Sequence, residues 1–119
     1  RVLLVEDEAL IAMEVADMLK DAGYEVLGPA MSVKAALELL KSQACDAAVL
    51  DINLGQETAA PIAQALSDRG TPFLTISGYG AAQRPPEFSR APHLDKPLRT
   101  ERLVRTLKEC LSAPQSHRV

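Results

Sequence analysis

The feature that most constrains this chain is a series of short apolar runs, each followed by a polar residue and then by helical periodicity. Val2 to Val5 is the first run, and the acids Glu6, Asp7 and Glu8 follow it. Ala47 to Leu50 runs directly into Asp51, Phe73 to Ile76 into Ser77, and the brief His93 to Asp95 into Lys96-Pro97. Runs this short and continuously apolar read as strands buried on both faces. Between them, apolar residues recur at helical spacing. Ile11, Val15, Met18, Leu19 and Ala22 share one face, and Gly23 is placed to end that helix. Glu25 to Leu27 is a short second strand closed by Gly28-Pro29. Ser32 caps a second helix facing inward through Val33, Ala36, Leu37 and Leu40. Thr58 is expected to cap a third, with Pro61 in its first turn, Ile62, Ala65 and Leu66 inward and Gly70 at its end. Pro85-Pro86 leaves only a short or irregular fourth helix within 80–90. The last helix starts near Thr100 and buries Leu103, Val104, Leu107, Cys110 and Leu111.

Strict alternation of strand and helix gives an α/β fold. Right-handed crossovers turn it into a five-stranded parallel, doubly wound sheet of order 2-1-3-4-5, the flavodoxin-like (βα)5 arrangement. Residues 1–113 form one domain and 114–119 a frayed polar tail. In this topology function gathers at the carboxyl ends of the first, third and fourth strands.

Glu6, Asp7 and Asp51 are therefore expected to meet. Two unit charges about 4 Å apart repel by about 1 kcal/mol in water and roughly 4 kcal/mol at an effective dielectric of 20. A hard divalent ion relieves that repulsion, and oxygen ligands suit Mg²⁺, for which Mn²⁺ can substitute. Carboxylates of Asp7 and Asp51 with the backbone carbonyl of Asn53 would fill half an octahedron. Acids at a helix start also suit the macrodipole, which by itself would account for Glu6-Asp7-Glu8. It does not account for Asp51 at the end of an apolar strand. Ser77 supplies a hydroxyl, Gly78 a close backbone approach, and Lys96 a point charge at the end of the fifth strand. Taken singly, Ser77-Gly78 is a turn signal and Lys96 a solvated lysine. Their placement on successive strand ends gives them weight.

Other classes fit less well. With four aromatic residues and a net charge of −3, the chain lacks the basic, stacking surface of a nucleic-acid binder. No apolar run approaches a membrane span of roughly 18 residues and no signal peptide is visible, so a soluble cytoplasmic location is expected. Arg1 stands at a strand start, so a few leading residues are expected to be missing. Cys45 and Cys110 lack metal-ligand spacing and are expected as reduced, buried thiols. A phosphate-ester hydrolase with an aspartate nucleophile would want a second acid two residues on, where Asn53 stands. A flavin site would want a Ser/Thr/Gly phosphate cradle after the first and third strands, where acids stand. A phosphorylation-independent docking module of the same fold is supported only by His93.

Over nearly its whole length the sequence resembles the receiver domains of two-component response regulators. Glu6-Asp7 after Val2-Leu3-Leu4-Val5, Asp51, Ser77-Gly78 and Lys96-Pro97 carry the resemblance. It implies a signalling phosphoacceptor rather than an enzyme. Asp51 would take a phosphoryl group from a histidine kinase or histidine phosphotransfer protein. Asp7 would ligate the metal directly and Glu6 through water, and Pro97 would follow a cis peptide. Ser77, Tyr79 and His93 would form the switch. Receivers generally place Phe or Tyr where His93 stands. Phe73 to Gly80 is similar to the FAT GUY subclass of single-domain receivers, in which an aromatic like Tyr79 replaces the missing one; Ser77 and Ile76 depart from that motif. Tyr79 would shield the phosphoryl group from water. Output would pass to a downstream protein through the face of the fourth helix, fifth strand and fifth helix, made basic by Arg84, Arg90, Arg99, Arg102 and Arg105.

Overall fold

A computed structural model describes residues 1–78, 88 and 91–112 of the chain. Along it run β1 (Val2–Val5), α1 (Ala9–Asp21), β2 (Val26–Ala30), α2 (Val33–Ser42), β3 (Ala47–Asp51), β4 (Asn53–Leu54), β5 (Glu57–Thr58), α3 (Ala60–Asp68), β6 (Phe73–Ser77), β7 (His93–Asp95) and α4 (Thr100–Ser112). The main sheet has the order β2-β1-β3-β6-β7 with every pairing parallel. This is the 2-1-3-4-5 arrangement expected of the five apolar runs.

The sheet separates two apolar layers, because alternate strand residues point to opposite faces. Leu3, Val5, Ala48 and Leu50 pack with Ala36 and Leu40 of α2 and with Ile62, Ala63 and Leu66 of α3. Val2, Leu4, Val49, Leu74 and Ile76 pack with Val15 and Leu19 of α1 and with Leu103, Leu107 and Cys110 of α4. All residues of β1, β3 and β6 are buried. Helices on both faces leave those strands no solvent side, which is why their sequences are continuously apolar. Ser32 caps α2, its Oγ accepting from Ala35 N at 3.1 Å.

Several expectations shift. β2 does not stop at Leu27 but continues through Gly28-Pro29 to Ala30. The register slips there, Leu3 facing Leu27 and Val5 facing Ala30. β2 is an edge strand, so Pro29 deprives no outer neighbour of a donor, and a bulge absorbs the extra residue. Gly28 has φ +102, and a Cβ there would lie 2.7 Å from Ala30 N and 2.9 Å from Leu4 O. Only glycine fits that approach.

A second departure is an antiparallel hairpin between β3 and α3, pairing Asn53 with Thr58 and Leu54 with Glu57. Thr58 thus lies in a strand, and Ala59 takes the N-cap position of α3, though Thr58 Oγ1 still accepts from Ala60 N at 3.4 Å. Ala22 lies past the end of α1 and is exposed, and Leu111 is 38% exposed, so neither belongs to the core. Cys110 is buried, whereas Cys45 is only half-buried; both are free thiols, and burial pushes the pKa of each up. Of the irregular helix expected within 80–90 only Phe88 is described, and it is fully buried; the rest of that stretch, Arg84 and Arg90 included, lies outside the described residues, as do Tyr79 and the tail 114–119.

Candidate functional site

Parallel pairing places the ends of β1, β3, β6 and β7 side by side. Val5 faces Leu50, Asp51 faces Ile76, and Ser77 faces Asp95. The next residues of β1 and β7 are Glu6 and Lys96, so the charged side chains collect at one edge. A backbone bond from Lys96 N to Ser77 O, 2.8 Å, ties the exit of β7 to the end of β6. The Lys96-Pro97 peptide is cis.

Lys96 is the hub. Its Nζ lies 3.1 Å from Asp51 Oδ2, 3.1 Å from Glu8 Oε1 and 2.9 Å from Glu6 Oε1. The other Asp51 oxygen, Oδ1, accepts from Asn53 N at 3.1 Å. Asp51 is thus held at both oxygens, by an ammonium on one side and a backbone N–H on the other. Glu6 is fully buried. Its Oε2 accepts from Glu8 N at 3.1 Å, while its Oε1 faces Lys96 without the alignment of a hydrogen bond and is left unpartnered.

Burial pushes the Glu6 carboxyl up to about 7, against the lowering pull of Lys96 and Glu8 N–H and with the nearby Asp51 adding to the rise. Lys96 responds the other way. Burial disfavours its charge, but the facing carboxylates of Glu6, Glu8 and Asp51 outweigh that and hold its pKa above the ordinary lysine value. Formally, three carboxylates face one ammonium.

Carboxylate oxygens of Glu6, Glu8 and Asp51 all come within 4.8 Å of one another. This all-oxygen set, together with the orphaned Glu6 Oε1, fits a hard divalent cation and its water. Glu8, which reads in the sequence as a macrodipole residue, belongs to this group. Its signal was position alone: a third acid at the same strand–helix junction. Asp7 is not part of the group within 4.8 Å. Its Oδ2 instead lies 3.8 Å from where a Cβ on Gly55 would stand, so it reaches toward the β4–β5 turn.

Ser77 is buried at the end of β6, beside β7. Its Oγ is 3.1 Å from His93 Nε2, and His93 Nδ1 is 2.8 Å from Thr75 Oγ1. Asp95 Oδ1 lies 3.3 Å from the same Nε2. Thr75 carried no signal in the sequence; only the strand register, Thr75 against His93, brings it in.

The family model for the response regulator receiver domain matches residues 2–108. The chain belongs to the response regulator receiver family. As a receiver domain it is a module of two-component signalling. It is 30% identical to the transcriptional regulatory protein PdtaR of Mycobacterium tuberculosis over 119 residues, 94% of this chain and 57% of the relative. The chain thus spans little more than half the length of that relative. The solution structure of SdrG from Sphingomonas melonis Fr1 is 35% identical with a TM-score of 0.82, covering 93% of this chain and 95% of SdrG. The BeF3-activated conformation of SdrG aligns with a TM-score of 0.78 at 35% identity, over 92% of this chain and 94% of that one. The receiver domain of NtrX from Brucella abortus is 26% identical with a TM-score of 0.85, covering 96% of this chain and all, 100%, of that one. Among the described residues of this receiver, no helix is long and apolar enough to cross a membrane.

Proposed function

We propose that Asp51 accepts a phosphoryl group from a phosphohistidine of a histidine kinase or histidine phosphotransfer protein, in a Mg²⁺-dependent reaction that switches a protein-binding surface. The observation that carries this reading is the double hold on Asp51, with Lys96 Nζ on Oδ2 and Asn53 N on Oδ1. A carboxylate so fixed is oriented before the donor arrives, which lowers the entropic part of the barrier. In the transfer, an Asp51 oxygen forms a bond to phosphorus as the phosphorus–nitrogen bond of the donor breaks. The electron pair leaves with the donor imidazole, which then takes a proton from water. Lys96 offsets the charge that gathers on the phosphoryl oxygens. Asp51 and the backbone carbonyl of Asn53 would hold Mg²⁺ together with Asp7, once its carboxylate turns from the β4–β5 turn toward Asp51, with Glu6 acting through water and Glu8 as a further acid beside them. When bound, the ion supplies charge neutralisation among these carboxylates. The BeF3-activated form known for SdrG supports a phosphoacceptor role for this similar chain.

Once Asp51 is phosphorylated, Ser77 donates to a phosphoryl oxygen and Lys96 pairs with another. Tyr79 shields the acyl phosphate. The surface of β7 and α4, with exposed Arg99, Arg102 and Arg105, presents the change to a downstream protein.

The test is intact mass after incubation with acetyl phosphate and Mg²⁺. The parent protein should gain one phosphoryl group, and Asp51→Ala should gain none. An equal gain in both would sink the assignment of Asp51.

A further inference from the structure

We propose that Glu8 is a positioning residue that competes with the phosphoryl group for the Lys96 ammonium: the resting protein shares Lys96 between Glu8 and Asp51, and phosphorylation must draw it away from Glu8. The proposal rests on the reading of Asp51 as the phosphoacceptor.

The position of Glu8 would suit a helix cap. It is the N-cap residue of α1, with φ −90 and ψ 112, and its carbonyl accepts from Ala12 N at 2.8 Å. An acid there can accept from the open N–H groups of the first turn. The Glu8 side chain makes no such bond. Its Oε1 instead accepts from Lys96 Nζ at 3.1 Å.

Strand order sets this pair astride the acceptor. Lys96 leaves the end of β7 and Glu8 follows β1, while Asp51 ends β3, which lies between those two strands in the sheet. Nζ donates to Glu8 Oε1 and to Asp51 Oδ2 at the same distance, 3.1 Å. Glu6 Oε1 is near but not aligned. Two of the three ammonium protons are thus divided between the acceptor and Glu8.

The three acids differ in their freedom to let go. The side chain of Glu6 is 0% exposed and that of Asp51 5%, whereas that of Glu8 is 61% exposed. Glu8 N is tied to Glu6 Oε2 at 3.1 Å, so its backbone is anchored while its carboxylate reaches water. Of these three acids, Glu8 alone can leave Lys96 and be solvated at once. Its hold is weak and reversible, as exposed ion pairs are. It is nonetheless a hold on the cation that the phosphoryl group requires.

Phosphorylation changes which acceptor is best. Joining phosphorus to an Asp51 oxygen removes the carboxylate charge and puts close to two negative charges on the phosphoryl oxygens. Lys96 must follow that charge outward. Glu8 opposes this twice. It retains one proton of Nζ, and its carboxylate, which comes within 4.8 Å of that of Asp51, repels the arriving anion. An uncharged residue at position 8 would do neither, so Glu8 limits how tightly the phosphoryl group is held.

The test compares the parent with Glu8→Gln, which keeps the shape and removes the charge. At one saturating Mg²⁺ concentration, beryllofluoride binding followed by fluorine NMR should reach half-saturation at an about 3- to 10-fold lower concentration in the variant. In the resting protein, in a chelator and without beryllofluoride, the Lys96 Nζ and Asp51 carboxyl-carbon resonances should both shift in Glu8→Gln as the ammonium settles on Asp51. Resonances that stay in place overturn the shared hold, whatever beryllofluoride does. Equal binding to both proteins, or weaker binding to the variant, leaves Asp51 standing as acceptor and overturns the competition. Binding to neither protein overturns the reading of Asp51 and, with it, the competition.

Discussion

Lys96 Nζ stands 2.9 Å from Glu6 Oε1, yet that oxygen has no aligned hydrogen bond and no exposure to solvent. The ammonium divides its three protons among competing acids, and Glu6 receives the worst geometry. The pocket is therefore electrostatically incomplete, with more acid than one lysine can neutralise.

Stability of the metal-free protein should fall as pH rises between about 4.5 and 7. Burial raises the folded Glu6 pKa from 4.5 to about 7, so the folded state binds that proton more tightly than the unfolded chain. The contribution is complete below 4.5 and is lost as pH climbs through the folded value near 7. It amounts to at most about 3 kcal/mol. Urea unfolding in a chelator across this range should show Glu6→Gln with a flatter profile than the parent. Equal slopes would remove Glu6 as the source.

Lys96→Met should cost about 2–4 kcal/mol at neutral pH in a chelator, because it leaves Glu6, Glu8 and Asp51 facing one another unpaired. Millimolar Mg²⁺ should recover much of the loss, since a divalent ion replaces the missing positive charge. A loss that Mg²⁺ leaves untouched would mean that the lysine acts by packing.

Gly28→Ala should destabilise by about 2–4 kcal/mol, and Gly23→Ala by only about 1 kcal/mol. Both glycines have positive φ, but a Cβ on Gly23 meets nothing within 4 Å, whereas one on Gly28 would press on Ala30 N and Leu4 O. Comparing the two by chemical denaturation separates backbone strain from collision. Similar losses would show that the bulge can relax.

Ser32→Ala should lower stability by about 1 kcal/mol, since it removes the side chain that accepts from Ala35 N. Glu57 Oε2 already accepts from Val33 N at 3.2 Å, so Ser32→Ala combined with Glu57→Gln should cost more than either alone. Additivity within about 0.5 kcal/mol is expected if the two caps act on separate donors.

The sheet could be read because its inner strands are buried on both sides, and that burial writes itself as unbroken apolar runs. The convergence of Glu6, Asp51, Ser77 and Lys96 on one edge followed from strand order alone. Gly28-Pro29 misled because that pair usually marks a turn, whereas here an edge strand bulges around it. The β4–β5 hairpin has two residues per strand, too few for any periodicity. Glu8 was hidden by an adequate rival explanation, the helix macrodipole. The Thr75–His93–Ser77 chain depends on pairing register across β6 and β7, which composition and spacing do not encode.

Asp51 closes a strand in which every residue is buried, flanked by two neighbours that are buried as well. Amide protons along Ala47–Asp51 should therefore exchange with deuterium only when the whole molecule opens. Fraying of that strand cannot expose the carboxylate, so whatever governs access to it must come from the loops at the sheet edge and from the approaching donor.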